Sequence, residues 1–547
     1  MENLEKESEN INITLEKRKQ KLIEKITNWL KNPYNLIFFI VFIIILIIRF
    51  YYFWLTRNQP VWWDEAEYLA SAKHYAGIFD FSHELSEQRL PGFPLLISVF
   101  FRLGITNELV LRFLLVFLPS IIAIFLLYFL LIKMYSDKKI ALISMVIFGV
   151  LWEHLFYSNR FHTENPALIF EFLAIIVLFQ AYMKKENFFF IKPKSSLIWV
   201  ILFSILSMFF RPGNLLFIPS VFVFFLILNQ SFFLSQKRRI YFIAILITLF
   251  IFSIFFLSIL PKVPLLRTYY HPDWPIGWSF LSVFKGFYEP VISWMPSILY
   301  FAFVLGIFIV LFNTLIVFDK ILRINKNSEE LEFKSNLYNL ILIILVLSIF
   351  IFFLRIPEGS TRPYEFRWFF IFLPAMLAFT SKGIIVFSEF ISKILNIKNI
   401  SLLIIVIILA FGAYNQLVHA DGIIKNKLDS YIHIKEASLW SKYNSNEKDI
   451  LFGRSVKQIA YYSDRKTYSS SSYQNESSFF NALKNLHPKY YIEYIYEGPL
   501  LDYILNPSEN LRKVLKPVRA WFLDKEQKQP VSIVYEIDYN ELDKFQS

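Results

Sequence analysis

The sequence predicts a polytopic α-helical membrane protein followed by a small α/β domain, and three observations carry that reading. Hydrophobic residues make up 56% of the 547 and charged residues only 18%, with a mean hydropathy of +0.46. A soluble globular chain is closer to about 25% charged. Apolar runs such as Asn35 to Leu55 and Arg239 to Leu260 match the roughly 20 residues a helix needs to cross a bilayer core. Lys and Arg recur between alternate runs, as they do in cytoplasmic loops.

Taken in order, eleven spans are expected, at 35–55, 107–132, 139–157, 164–183, 196–210, 213–229, 240–260, 294–318, 337–355, 367–388 and 399–418. Residues 1–33 are highly charged, show no cleavable signal peptide, and contain Lys17, Arg18, Lys19, Lys21 and Lys25, so the N-terminus is expected in the cytoplasm. Every second link is then cationic: Lys133/Lys138/Lys139, Lys184/Lys185/Lys192/Lys194, Lys237/Arg238/Arg239, Lys320/Arg323/Lys326/Lys334 and Lys382/Lys393/Lys398. The opposite links hold Asp64, Glu65, Glu67, Asp273 and Glu365. Pro91 to Gly104 is apolar but short, and is expected to lie in the interface or re-enter it on the outer side. Asn325–Lys334 is expected to be a polar cytoplasmic loop. The transmembrane domain is thus 34–419. Residues 420–547 form an extracytoplasmic α/β domain, with strand-like runs at Asp449–Phe452, Lys489–Tyr494 and Val531–Ile537 and a helix at Ser477–Leu486.

Composition also narrows function. The net charge of +12 is accounted for by cytoplasmic loops and does not indicate a nucleic-acid partner. The absence of cysteine excludes disulfides, thiolate metal sites and cysteine nucleophiles. No HExxH spacing and no Gly-rich phosphate loop occurs.

Residues with chemical potential collect in the outer links. Trp62-Trp63-Asp64-Glu65-Ala66-Glu67-Tyr68 puts three carboxylates within four residues behind a tryptophan pair. Desolvated at the interface, such a carboxylate can serve as a general base; acids also simply favour a helix N-terminus. Glu164 follows in Arg160-Phe161-His162-Thr163-Glu164-Asn165-Pro166, where Thr163 alternatively caps the next helix with Pro166 in its first turn. Arg211, fixed by Pro212, and Arg267, Arg355, Arg362 and Arg367 sit near outer span ends. Their guanidinium forks suit phosphate oxygens, or they snorkel at the interface. Tyr269-Tyr270-His271-Pro272-Asp273-Trp274-Pro275 has the composition of a sugar site or of an interfacial belt.

These motifs, in this order, resemble the GT-C class of membrane glycosyltransferases, and within it the branch of protein O-mannosyltransferases and lipid A aminoarabinose transferases (glycosyltransferase family 39/83-like). The resemblance rests on Trp63-Asp64-Glu65-Ala66-Glu67-Tyr68, Arg89-Leu90-Pro91-Gly92-Phe93-Pro94, Arg160 to Pro166, Phe210-Arg211-Pro212-Gly213 and Glu365-Phe366-Arg367-Trp368 with Pro374. In the tail it rests on Asp449 to Phe452, Ile459-Ala460-Tyr461-Tyr462-Ser463 and His487 to Ile492. It implies transfer of a sugar from dolichyl or undecaprenyl phosphate to a protein, lipid or glycan acceptor at the outer membrane face, with inversion. Asp64, Glu65 and Glu164 are the expected catalytic residues. Arg211, Arg362 and Arg367 are expected to bind the lipid phosphate, and Tyr68, Arg89, His162, His271 and Asp273 to line the substrate. No cofactor is required by the resemblance, although paired carboxylates can hold Mg²⁺ or Mn²⁺.

Two other classes use many spans and outer arginines. A transporter or flippase for lipid-linked sugars would place polar groups near the bilayer midplane, whereas these spans read as nearly uncharged in the middle. A non-catalytic glycan-assembly subunit has no need for Asp64, Glu65 and Arg211. An oligosaccharyltransferase reading lacks the expected Trp-Trp-Asp signature in the C-terminal part; Trp62-Trp63-Asp64 lies in the first loop instead.

Overall fold

The first membrane helix, α1 (Pro33–Leu55), begins where Asn32 accepts a hydrogen bond from the Tyr34 amide and Pro33 occupies a position whose N–H would have no helical partner. In the computed structural model, residues 19–21, 23–81, 90–211, 213–214, 217–229, 291–295, 298–321, 328–353, 366–397, 399–497, 501–523, 526 and 528–545 are described. The expected span 240–260 and Arg89, Arg267, His271, Asp273, Arg355 and Arg362 lie outside the described residues.

After α1 come α2 (Trp63–Ala76), α3 (Gly92–Arg102), α4 (Glu108–Tyr135), α5 (Lys138–Val150), α6 (Trp152–Tyr157), α7 (Glu164–Met183), α8 (Pro193–Phe210) and α9 (Phe217–Leu228). Then follow α10 (Ile298–Ile321), α11 (Ser328–Phe353), α12 (Leu373–Leu395) behind a 3₁₀ turn at Phe366–Phe372, and α13 (Ile400–Asn426). Among the described residues, seven helices are long and apolar enough to cross a membrane. α3 has 11 residues, about 16 Å of helix, too short to span. α11 starts at Ser328, so the polar stretch expected as a loop is helical from Ser328 to Lys334.

Local chemistry explains the irregularities. In α4 the ladder widens to a π turn at Phe113–Phe117 directly before Pro119, which has no N–H to return to Leu115. The span expected at 139–157 breaks at Leu151, leaving carbonyls at the end of α5 without helical donors. Arg49 on α1 supplies them: its Nε donates to Gly149 O at 3.0 Å and its Nη2 to Phe148 O at 3.2 Å. α10 and α12 cross with their backbones in contact. A Cβ on Gly306 would lie 1.9 Å from Phe379 O, and one on Gly383 1.9 Å from Ala302 O, the close approach that small residues permit between membrane helices.

The C-terminal part folds around a five-stranded sheet: β1 (Ile450–Gly453), β2 (Lys466–Ser469), β3 (Tyr490–Tyr494), β4 (Leu515–Phe522) and β5 (Pro530–Ile537), in the order β2-β1-β3-β5-β4. β2, β1 and β3 are parallel, linked by α15 (Val456–Ser463) and α16 (Glu476–Leu486); β5 runs antiparallel to β3 and β4. Before the sheet, α14 (Ile432–Tyr443) packs against α15, and α17 (Glu509–Val514) precedes β4. Strands β1, β3 and β5 and helix α16 match the sequence expectation. β2 and β4 were not expected because they are the sheet's edges, where Lys466, Lys516, Pro517, Val518 and Arg519 face solvent and the apolar alternation fails.

Candidate active site

The ends of four elements meet at one end of the helical bundle. Asp64 lies in the first turn of α2, Glu164 in the first turn of α7, Arg211 directly after α8, and Arg367 in the turn before α12. Arg367 joins them: Nη2 lies 2.7 Å from Asp64 Oδ2 and Nε 3.5 Å from Glu164 Oε1. Arg211 Nη1 reaches the same Glu164 oxygen at 3.4 Å. His162 Nδ1 is 2.5 Å from Arg367 Nη1. Two carboxylates and two guanidiniums therefore alternate in one cluster, and the Glu164 Oε2 atom beside them is buried without a protein hydrogen bond. Asp64 is the most open of the four, its side chain 19% exposed against 4–9% for the others.

Glu65 is turned away from this cluster. Its Oε2 accepts from the Trp62 amide and its Oε1 from the Phe161 amide, each at 2.7 Å, so one carboxylate caps α2 and ties that helix to the segment leading into α7. Arg160 stacks on the Trp62 ring at 3.4 Å and on Phe156 at 4.4 Å, and faces Glu65 at 3.7 Å. Burial pulls its pKa down to about 10. Arg112 bridges the same two loops through Asn159 O and Gln59 O, at 3.0 and 2.7 Å. Neither arginine was singled out from sequence, where a cation at a span end reads as snorkelling; their signal is burial, 1–2% exposed.

Tyr68 packs edge-on against Phe93 of α3, with centroids 5.7 Å apart. Thr163 takes the N-cap position of α7 but its side chain makes no cap bond. Behind Arg211, Asn214 Nδ2 donates to Ser207 Oγ at 2.6 Å and lies 3.4 Å from Glu171 Oε2. Glu171 is fully buried; seven residues from Glu164, it lies on the same face of α7 two turns along. The spans are thus less free of charge than their composition suggests. Among the described residues, no three His, Asp or Glu side chains are grouped as a metal-ligand set.

No protein-family model and no curated protein matches the sequence. Solved structures do match. The aminoarabinose transferase ArnT of Cupriavidus metallidurans in its apo state aligns at a TM-score of 0.53 and 12% identity, over 91% of this chain and 97% of that one. The same enzyme bound to undecaprenyl phosphate aligns at 0.51 and 12%, over 91% and 98%. The archaeal oligosaccharyltransferase AglB of Archaeoglobus fulgidus, in complex with an inhibitory peptide and a dolichol-phosphate, aligns at 0.58 and 13%, over 85% of this chain and 70% of that one. The helical bundle, its short α3 and the trailing sheet domain together have the fold of the GT-C class of membrane glycosyltransferases.

Proposed function

We propose that this protein is a glycosyltransferase that moves a sugar from a polyprenyl-phosphate donor, dolichyl or undecaprenyl phosphate, to an acceptor at the outer membrane face, with inversion at the anomeric carbon. The observation that carries the reading is the Asp64–Arg367–Glu164–Arg211 cluster at one end of a GT-C bundle. ArnT bound to undecaprenyl phosphate and AglB with a dolichol-phosphate support a lipid-phosphate donor; AglB's inhibitory peptide supports an acceptor of peptide or glycan kind. Protein, lipid and glycan hydroxyls all satisfy the chemistry.

In the proposed reaction an acceptor oxygen attacks the anomeric carbon from the face opposite the phosphate. The carbon–oxygen bond to phosphate breaks as the new glycosidic bond forms, and the acceptor proton passes to Asp64. The donor phosphodiester carries one negative charge, and the released polyprenyl monophosphate carries up to two. Arg211 and Arg367 answer that added charge, and preorganised donors facing developing charge are commonly the largest catalytic contribution. Donor binding draws Arg367 from Asp64 toward phosphate, and the carboxylate takes the acceptor proton as the base. Glu164 keeps both guanidiniums in place, His162 orients Arg367, and Glu65 holds α2. No metal or other cofactor enters this scheme.

The same end of the bundle carries the sheet domain, and the opposite end is cationic. There Lys138 Nζ reaches Asn35 Oδ1 at 3.2 Å and Lys184 Nζ reaches Ser136 Oγ at 3.4 Å. The positive-inside rule assigns that cationic end, and the N-terminus with it, to the cytoplasm. The test is transfer by purified protein in nanodiscs, offered radiolabelled polyprenyl-phosphate sugars and membrane extract. Label moving to an acceptor in the wild type but not in Asp64→Asn supports the reading; equal transfer by folded Asp64→Asn removes it.

A further inference from the structure

The tyrosine pair of the C-terminal motif reaches back to the helix that carries Asp64. We propose that Tyr462 and Asp464, at the end of α15 in the sheet domain, are positioning residues that fix α2, and with it Asp64, against Arg367. The proposal rests on the glycosyl-transfer reading above.

α2 is held by this one stretch of chain before its first turn and again in its last. The Val61 amide, three residues ahead of Asp64, donates to Tyr462 Oη at 2.8 Å in a buried setting. Lys73, in the last turn, donates to Tyr461 O at 2.8 Å and pairs with Asp464 Oδ1 at 2.6 Å. Its ammonium also lies over the Tyr461 ring, 4.4 Å from the centroid. Lys442 of α14 pairs with the other Asp464 oxygen. Tyr461 Oη completes the clasp by donating to Glu108 Oε1, at the start of α4, at 3.0 Å.

Val61 is fully buried and both tyrosines are 5% exposed, so losing the Val61–Tyr462 bond strands a buried amide rather than handing it to water. Burial lowers the Lys73 pKa, and Asp464 opposes that shift, as expected of a cation drawn from water toward one carboxylate. α15 is the crossover between β1 and β2, so its position follows from the sheet. A small shift of α15 is passed through Val61 to Asp64, three residues on. Geometry at a reacting centre is sensitive at that scale: about 1 Å of misplacement can cost on the order of 10²-fold in rate.

Full-length protein in nanodiscs tests this with two readouts. Tyr462→Phe keeps the ring and removes the hydroxyl; Asp464→Asn weakens the hold on Lys73. Ser508→Ala, which removes the cap of α17, loosens the same domain without touching α2. Both clasp variants are expected to raise deuterium exchange in the peptide containing Val61 to Asp64. They are also expected to lower turnover roughly 10-fold or more, with KM for the lipid-linked sugar nearly unchanged; Ser508→Ala is expected to do neither. Unchanged exchange and turnover in both clasp variants overturn the proposal, as does an equal loss of turnover in Ser508→Ala. If the wild type transfers no sugar, the glycosyl-transfer reading fails by itself, and the exchange readout still decides whether the clasp holds α2.

Discussion

Two pairs of buried arginines lie near the same end of the bundle and are held in different ways. Arg49 and Arg112, each 1% exposed, donate mainly to backbone carbonyls: Gly149 and Phe148 for the first, Asn159 and Gln59 for the second. Arg211 and Arg367 face carboxylates. The difference decides which can act on a ligand. A guanidinium that satisfies buried carbonyls cannot leave without orphaning them, so it is committed to architecture. A guanidinium facing a carboxylate can exchange one anion for another, and a phosphate oxygen is such an anion.

The sharpest way to break the comparison is at the carboxylate from which the exchange would withdraw Arg367. Asp64→Asn keeps the shape and the contact with Arg367 but removes the proposed base, and is expected to lower transfer by about 10²- to 10⁴-fold at wild-type expression and thermal stability. Next come the cations. Arg367→Gln and Arg211→Gln are each expected to lower transfer by on the order of 10²-fold. Arg211→Gln should also raise KM for the lipid-linked donor. A matched Arg112→Gln variant in which the loss appears in thermal stability, with activity per folded molecule kept, would sharpen the distinction; equal catalytic losses in both pairs would dissolve it.

Sequence made one pair legible and hid the other. Asp64, Glu164, Arg211 and Arg367 stand beside Trp, Pro or Gly punctuation at span ends, so motif order and the shared side pointed to them before any distance was known. Arg49 and Arg112 sit inside or beside apolar runs, and nothing local tells a carbonyl-bonded arginine from a snorkelling one. Asp64 and Glu65 are neighbours in sequence; the helical turn of about 100° per residue sends one to the guanidiniums and the other to the Trp62 and Phe161 amides. Glu171 had a signal, its seven-residue spacing from Glu164, but a run otherwise apolar masked it. The clasp from Tyr462 to Val61 joins residues 401 apart, a relation that no local pattern encodes.

Arg49 is where the architectural half of the comparison is most exposed. Arg49→Met fills similar volume but leaves the Gly149 carbonyl and His154 Nδ1, at 2.7 Å, without the Arg49 donor, and the Phe148 carbonyl with the Leu151 amide at 3.4 Å. Breaking a buried network of this kind costs about 3 kcal/mol, read as a lower thermal-unfolding midpoint in detergent. Donor KM of the folded fraction is expected to stay at the wild-type value. A raised KM with unchanged stability would move Arg49 to the other pair.

The smallest expected effect concerns what supplies positive charge to the site. Glu164 already lies within reach of two guanidiniums, and Arg367 stands between it and Asp64. In the proposed reaction Arg211 and Arg367 do electrostatically what a divalent cation does for phosphate elsewhere. Chelation with EDTA during the transfer assay is therefore expected to leave the initial rate unchanged, and added Mg²⁺ or Mn²⁺ to leave it unchanged again. A rate that collapses with EDTA and returns with one of these ions would mean that Asp64 and Glu164 are ligands first. The contact from Arg367 to Asp64 would then be a resting arrangement that the metal displaces.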